Sequence, residues 1–167
     1  MIKLIAVSGS DGDDVNLTPH ALKVAEKVGY YIAENQAVLL CGGRTGIMEA
    51  ASKGAKNNNG LTIGILPYEK SEANDFIDVP IPTSMGNARD YLLINGADVV
   101  IGIGGRWGTL NEISFAMCIE KPTIVIKGTG GWADLLSDPK IVKGFEKKPY
   151  VVSSAKKAVE MAIKLSK

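Results

Sequence analysis

Residues that bind soft or borderline metals are scarce in this chain. It has one histidine, His20, and two cysteines, Cys41 and Cys118, with no CxxC pair. That excludes a disulfide framework and argues against a zinc site, so no metal is expected. Both cysteines sit in apolar runs, AVLLCGG and SFAMCIE, and are expected to be buried, reduced thiols. An excess of one charge is also missing: Lys+Arg 19 against Asp+Glu 18 leaves a net charge of +1. Nucleic-acid binders normally carry a basic excess or stripe, so no nucleic-acid partner is expected. No stretch approaches the about 18 apolar residues of a membrane span. The opening MIKLIAVSGS has too short an apolar run, and no small-residue cleavage site, for a signal peptide. The expectation is a cytoplasmic chain with no membrane partner.

What is present is enough to fold. The chain has 167 residues, 46% of them hydrophobic, which suits one domain over 1–167 with its own core. Short apolar runs alternate with helical patterns. Strands are expected at 2–7, 37–41, 61–66, near 76–79, and at 98–103, 122–126 and 150–152. Helices are expected from Thr18-Pro19 to about 34, over 46–56, 87–95 and 109–120, and after Ser153 or Ser154. Thr18 suits an N-cap and Pro19 the first helical position. The stretch 128–134 reads as a Gly/Trp loop. The strands lack polar–apolar alternation, as when both faces of a sheet are covered. The fold class is therefore α/β: a Rossmann-like three-layer αβα domain with a mostly parallel sheet. Ligands of such sheets bind beyond the carboxyl ends of the strands.

The glycines mark that edge. CGGRTGIME at 41–49 and IGGRWGTLNE at 103–112 share Gly-Gly-Arg-x-Gly, and each follows a strand and opens a helix. Glycine lets backbone approach an anion, and a helix N-terminus offers free N–H groups with a partial positive charge. Arginine adds a fork suited to phosphate. Ser8-Gly9-Ser10 is a third small-residue turn. Gly9, Ser10, Gly42, Gly43, Arg44, Gly104, Gly105, Arg106, Gly108 and Thr109 are thus candidates for binding a phosphorylated small molecule. The P-loop spacing GxxxxGK[ST] is absent, and no GxGxxG follows the first strand.

These residues resemble a known family. GGRTGIMEAASKGA and IGGRWGTLNE are similar to the two signatures of the LOG-like (lysine-decarboxylase-like) proteins of the SLOG superfamily, the second to PGGxGTxxE. SMGNARD at 84–90 resembles their substrate-contacting segment. The similarity spans residues 5–127, and points to the branch holding the molybdenum-cofactor carrier proteins. It implies a Rossmann-like homodimer, open to further assembly. It also implies a bound AMP-like nucleotide or molybdenum cofactor, and no required cofactor. The family's enzymes release free base from nucleoside 5′-monophosphates. By position, Gly104, Gly105, Gly108 and Thr109 would bind phosphate. Arg89 and Glu112 would be catalytic, the carboxylate answering positive charge on the sugar as the base departs. Two departures weigh against cleavage. Arg89-Asp90 stands where the enzymes carry Arg-Lys, and Asn111-Glu112 where they carry two acids; Ile103 replaces a proline. Binding of a nucleotide or pterin, rather than phosphoribohydrolase activity, is the preferred reading. No context for a pyridoxal-phosphate lysine supports a decarboxylase.

Other residues invite simpler readings. Glu49 has the place in the first loop that Glu112 has in the second. Arg106 could stack on Trp107 or on a ligand base. Asp11, Asp13 and Asp14 lack calcium-loop spacing and read as solvated turn residues. Trp132 reads as a loop anchor and His20 as a helix-surface residue. The helix EISFAMCIE is apolar nearly all round, which suggests a homodimer seam shared with the 91–94 helix.

Overall fold

The computed structural model describes residues 1–166. Seven strands form one sheet: β1 (Leu4–Gly9), β2 (Val38–Cys41), β3 (Thr62–Leu66), β4 (Val79–Pro82), β5 (Val99–Ile103), β6 (Thr123–Ile126) and β7 (Tyr150–Val152). Six helices accompany them: α1 (Pro19–Glu34), α2 (Ile47–Lys56), α3 (Asp90–Gly96), α4 (Trp107–Cys118), α5 (Gly131–Ser137) and α6 (Ala155–Leu165). The strand order is β4-β3-β2-β1-β5-β6-β7, and every pair is parallel. The order reverses direction between β1 and β5, where such sheets leave a crevice at their carboxyl edge. No described helix is long and apolar enough to cross a membrane.

The sheet is covered on both faces. Successive side chains of a strand point to opposite faces. Ile5 and Val7 of β1 therefore join a core beneath α1, α2 and α6, while Ala6 joins the cluster beneath α3 and α4. Strands β2, β5 and β6 are buried throughout, which explains their unbroken apolar runs. The edge strand β4 contains Pro80 and Pro82, tolerable there because no further strand needs their missing N–H groups. Helices α1 and α2 cross at Gly29 and Gly54. A methyl on Gly29 would strike Ala51 O, and one on Gly54 would strike Glu26 O.

Local chemistry sets several boundaries. Thr18 Oγ1 accepts the Ala21 N–H and Pro19 occupies the first turn, as the sequence suggested. Ser154, rather than Ser153, caps α6. The structure corrects four expectations. The stretch 131–137 is the helix α5, not loop: Asp134 accepts the N–H groups of Gly128 and Gly130, and Ala133 is buried against Ile113 and Val125. The helix expected over 87–95 is a 3-10 turn, Gly86–Arg89, followed by α3. Strand β4 lies three residues beyond its expected start of 76, at Val79. Cys41 is buried, but Cys118 is exposed at the end of α4.

Candidate functional site

At the reversal point the ends of β1, β2 and β5 enclose a cleft of about 210 Å³, lined by Ser10, Arg44, Arg89, Arg106, Gly108, Thr109 and Glu112 among others. This is smaller than the roughly 300–1,000 Å³ of a site that engulfs a small molecule. It suits one end of a ligand, with the remainder lying at the mouth.

The two Gly-Gly-Arg loops do different things there. In the loop after β5, the Gly104 N–H donates to Thr129 Oγ1 (2.9 Å) and the Gly105 N–H to Ser10 Oγ (3.0 Å). Their carbonyls accept from Ala133 and Trp132 N–H groups. Gly104 and Gly105, read from the sequence as phosphate contacts, therefore hold the loop and do not line the cleft. Gly108 and Thr109 do line it. A methyl built on Gly108 meets nothing within 4 Å; it would project into open space. No side chain caps α4, and first-turn N–H groups have no partner within their own helix. The beginning of α4 thus presents donors and a partial positive charge to the cleft.

The loop after β2 is turned inward. A methyl on Gly42 would come within 2.7 Å of Arg89 Nη1 and Met48 Sδ; one on Gly43 within 2.8 Å of Leu66 Cδ2. The first N–H of α2, on Ile47, donates to Ser10 O at 2.9 Å. Gly42 and Gly43, also expected to bind, pack against the fold instead. Of that loop only Arg44 reaches the cleft. Glu49 faces away, into a groove with Lys53.

An acidic loop answers the arginines. Arg44 Nη2 lies 3.4 Å from Asp11 Oδ2. Arg106 pairs with Asp13, and its Nε lies 4.0 Å from Asp14. Arg106 is thus held by carboxylates rather than stacked on Trp107, whose ring meets Trp132 instead. Asp14 is buried, not solvated as expected, and accepts from Ser10 Oγ at 2.5 Å. Burial pushes its carboxyl up, but the Ser10 hydroxyl, the Asn16 N–H and Arg106 outweigh that and hold it below the usual range. Asp11 is also held low: burial is opposed by Thr45, the Gly12 N–H, Arg44 and Arg106. Both arginines are neutralised across the mouth of the cleft.

The floor carries the second acidic group. Glu112 is 9% exposed and accepts from the Ser8 hydroxyl. Burial, then the charge of Asp90, push its carboxyl up to about 7 against the opposing Ser8 hydroxyl and Arg89. Burial also raises Asp90, opposed by Asn111 and Arg89. Asn111 Nδ2 donates to Asp90 Oδ2 at 3.0 Å, so the two residues that depart from the enzyme signatures are bonded to each other. Arg89 is 8% exposed. Its Nη1 donates to Ile65 O (2.5 Å) and Gly42 O (3.3 Å), and its buried Nε has no partner. It cross-links strand ends as well as lining the cleft. The expected residues Gly9, Ser10, Arg44, Arg89, Arg106, Gly108, Thr109 and Glu112 do converge here. The cleft also uses Asp11, Asn87 and Asp90; the Asp11–Asp14 run was the available signal for the first.

Comparisons with known proteins bear on the family and the fold. The model of the SLOG cluster4 family matches residues 3–162. The structure of the molybdenum cofactor binding protein of the phototrophic bacterium Rippkaea orientalis is similar over 99% of this chain and 98% of that one, with 36% identity and a TM-score of 0.88. The molybdenum cofactor carrier protein of Chlamydomonas reinhardtii is similar over 98% of each chain, with 32% identity and a TM-score of 0.84. An uncharacterized protein of Archaeoglobus fulgidus is 43% identical over 112 residues, 64% of this chain and 74% of that one.

Proposed function

The chain belongs to the SLOG cluster4 family, and on that premise we propose that it binds a phosphorylated heterocycle of the molybdenum-cofactor type and holds it unchanged, as a carrier. The observation that carries this reading is the uncapped start of α4, where Gly108 leaves open space beside Thr109. A phosphate fits there, taking the free N–H groups and drawing Arg106 and Arg44 from their carboxylates. The lining groups that would hold such a ligand, Arg44, Arg106, Gly108 and Thr109, suit its phosphate end. The cofactor-type relatives support the ligand class.

The same reading has two copies meeting through α3 and α4. Tyr91 and Leu92 are exposed beside α4, and Tyr91 packs on Phe115 with ring centroids 5.1 Å apart.

A second reading rests on Glu112. A buried carboxyl raised to about 7 has the proton affinity of a general acid–base group. With AMP bound, it would serve glycosidic cleavage, as in a phosphoribohydrolase. The Asp90–Asn111 pair beside it favours binding over cleavage, since it adds negative charge where the enzymes carry a lysine.

The test is to mix pure protein with molybdenum cofactor, separate by gel filtration, and assay the protein peak for molybdenum and for oxidised-pterin fluorescence. Both co-elute with the wild type and not with Gly108→Ala under the carrier reading. Absence of both overturns it. Free base released from AMP by the wild type but not by Glu112→Ala establishes the second reading instead.

A further inference from the structure

Trp107 is 75% exposed. A tryptophan left in water forgoes a large burial energy, so its place calls for an explanation. It is not loose. Its ring lies against that of Trp132, centroids 5.5 Å apart and planes at 52°. The backbone of Trp132 is itself tied to the loop after β5, its main-chain N–H donating to Gly105 O at 3.0 Å. Trp107 stands between Arg106 and Gly108, both of which line the cleft. Trp107 does not line the cleft itself, whose volume of about 210 Å³ takes one end of a ligand and leaves the rest outside.

We propose that Trp107, backed by Trp132, is a stacking platform for the planar heteroaromatic ring of a ligand whose phosphate sits at Gly108-Thr109. The inference rests on the phosphate reading above and adds the ring subsite to it. One tryptophan braces the other, so an exposed aromatic face is presented with little rotamer freedom left to lose on stacking. Arg106, the residue before Trp107, is paired with Asp13 and is released when phosphate binds. The shared chemistry is a flat, π-rich, nitrogen-containing ring, which a purine and a pterin both offer.

Three probes separate the contributions: ribose 5-phosphate, GMP and 6-hydroxymethylpterin phosphate, titrated by calorimetry and by tryptophan emission. The chain has only two tryptophans, so quenching reports this site directly. Ringed ligands should bind the wild type about tenfold tighter than ribose 5-phosphate and quench its emission. Trp107→Ala should lower them to the level of ribose 5-phosphate and leave that ligand unchanged, while Trp107→Phe retains most of the preference. Tighter binding by only one ringed probe supports the platform and identifies the source of the ring. No preference in the wild type, or a preference that survives Trp107→Ala, overturns the platform. If ribose 5-phosphate and both ringed probes all fail to bind, the phosphate reading falls and the platform with it. If Trp107→Ala instead dissociates an oligomer in sedimentation, with ligand preference unchanged, the tryptophan face is a contact between copies and the proposal is wrong.

Discussion

Residues 42–46 and 104–108 spell nearly the same loop, yet they do opposite work. The first, GGRTG, is packed inward: its glycines exist because Arg89, Met48, Leu66 and Gly64 come too close for a methyl. The second, GGRWG, has two glycines bound into the scaffold and a third, Gly108, facing open space. Glycine required by neighbouring atoms is a folding residue. Gly108, beside open space at the uncapped start of α4, is free for the phosphate role proposed for it. The comparison also separates the arginines. Arg44 and Arg106 are mouth residues held by carboxylates, whereas Arg89 is a buried cross-link between strand ends.

The sharpest way to break this contrast is a methyl in each loop. Gly46 has φ +69° and its added Cβ would strike Ser10 O. Gly46→Ala should cost about 3 kcal/mol or more in denaturant unfolding. Gly108→Ala should change stability by less than about 1 kcal/mol, yet weaken phosphate binding by about tenfold or more in calorimetry. Equal destabilisation by the two would remove the distinction.

The next effect is pH-dependent and belongs to the floor. Glu112 is raised from 4.5 to about 7, so the folded state holds a proton that the unfolded chain releases near pH 4.5. The group's contribution is fully present below about pH 4.5 and is lost as pH rises through about 7. Glu112→Gln removes that loss. It should gain up to about 3 kcal/mol on the wild type at pH 8, and little at pH 4, when melting is followed at both. A gain independent of pH would contradict the burial argument.

Arg89→Ala should cost about 2 kcal/mol, because carbonyls of Ile65 and Gly42 lose a charged donor. Arg44→Ala should cost less than about 0.5 kcal/mol, as for an exposed ion pair. Smallest of all is Asp13→Asn: stability barely moves, and phosphate affinity rises a few-fold at low salt as Arg106 is freed. A fall in affinity would show that the acidic loop helps rather than competes.

Much of the fold was legible because it is written locally. Thr18-Pro19 caps and starts a helix whatever surrounds it, and strands covered on both faces announce themselves as apolar runs. Helix α5 was not legible, because its stability comes from Ala133 packing on distant Ile113 and Val125 and from Asp134 reaching back to a glycine turn. The site was legible as a set of loops, not as a division of labour. Gly105 and Gly108 look alike in sequence; only the Ser10 hydroxyl, placed by β1, claims one N–H and not the other. Likewise nothing local says that Asp14 is buried or that Asp90 and Asn111 meet.

The phosphate site proposed for this protein is the start of α4, not the twin loop. The direct measurement is a titration of the isotopically labelled protein with inorganic phosphate, following backbone amide resonances. Saturable shifts centred on Trp107, Gly108 and Thr109 are expected, with Gly42 and Gly43 nearly unmoved. Shifts centred on Gly42 and Gly43, with Gly108 silent, would contradict it.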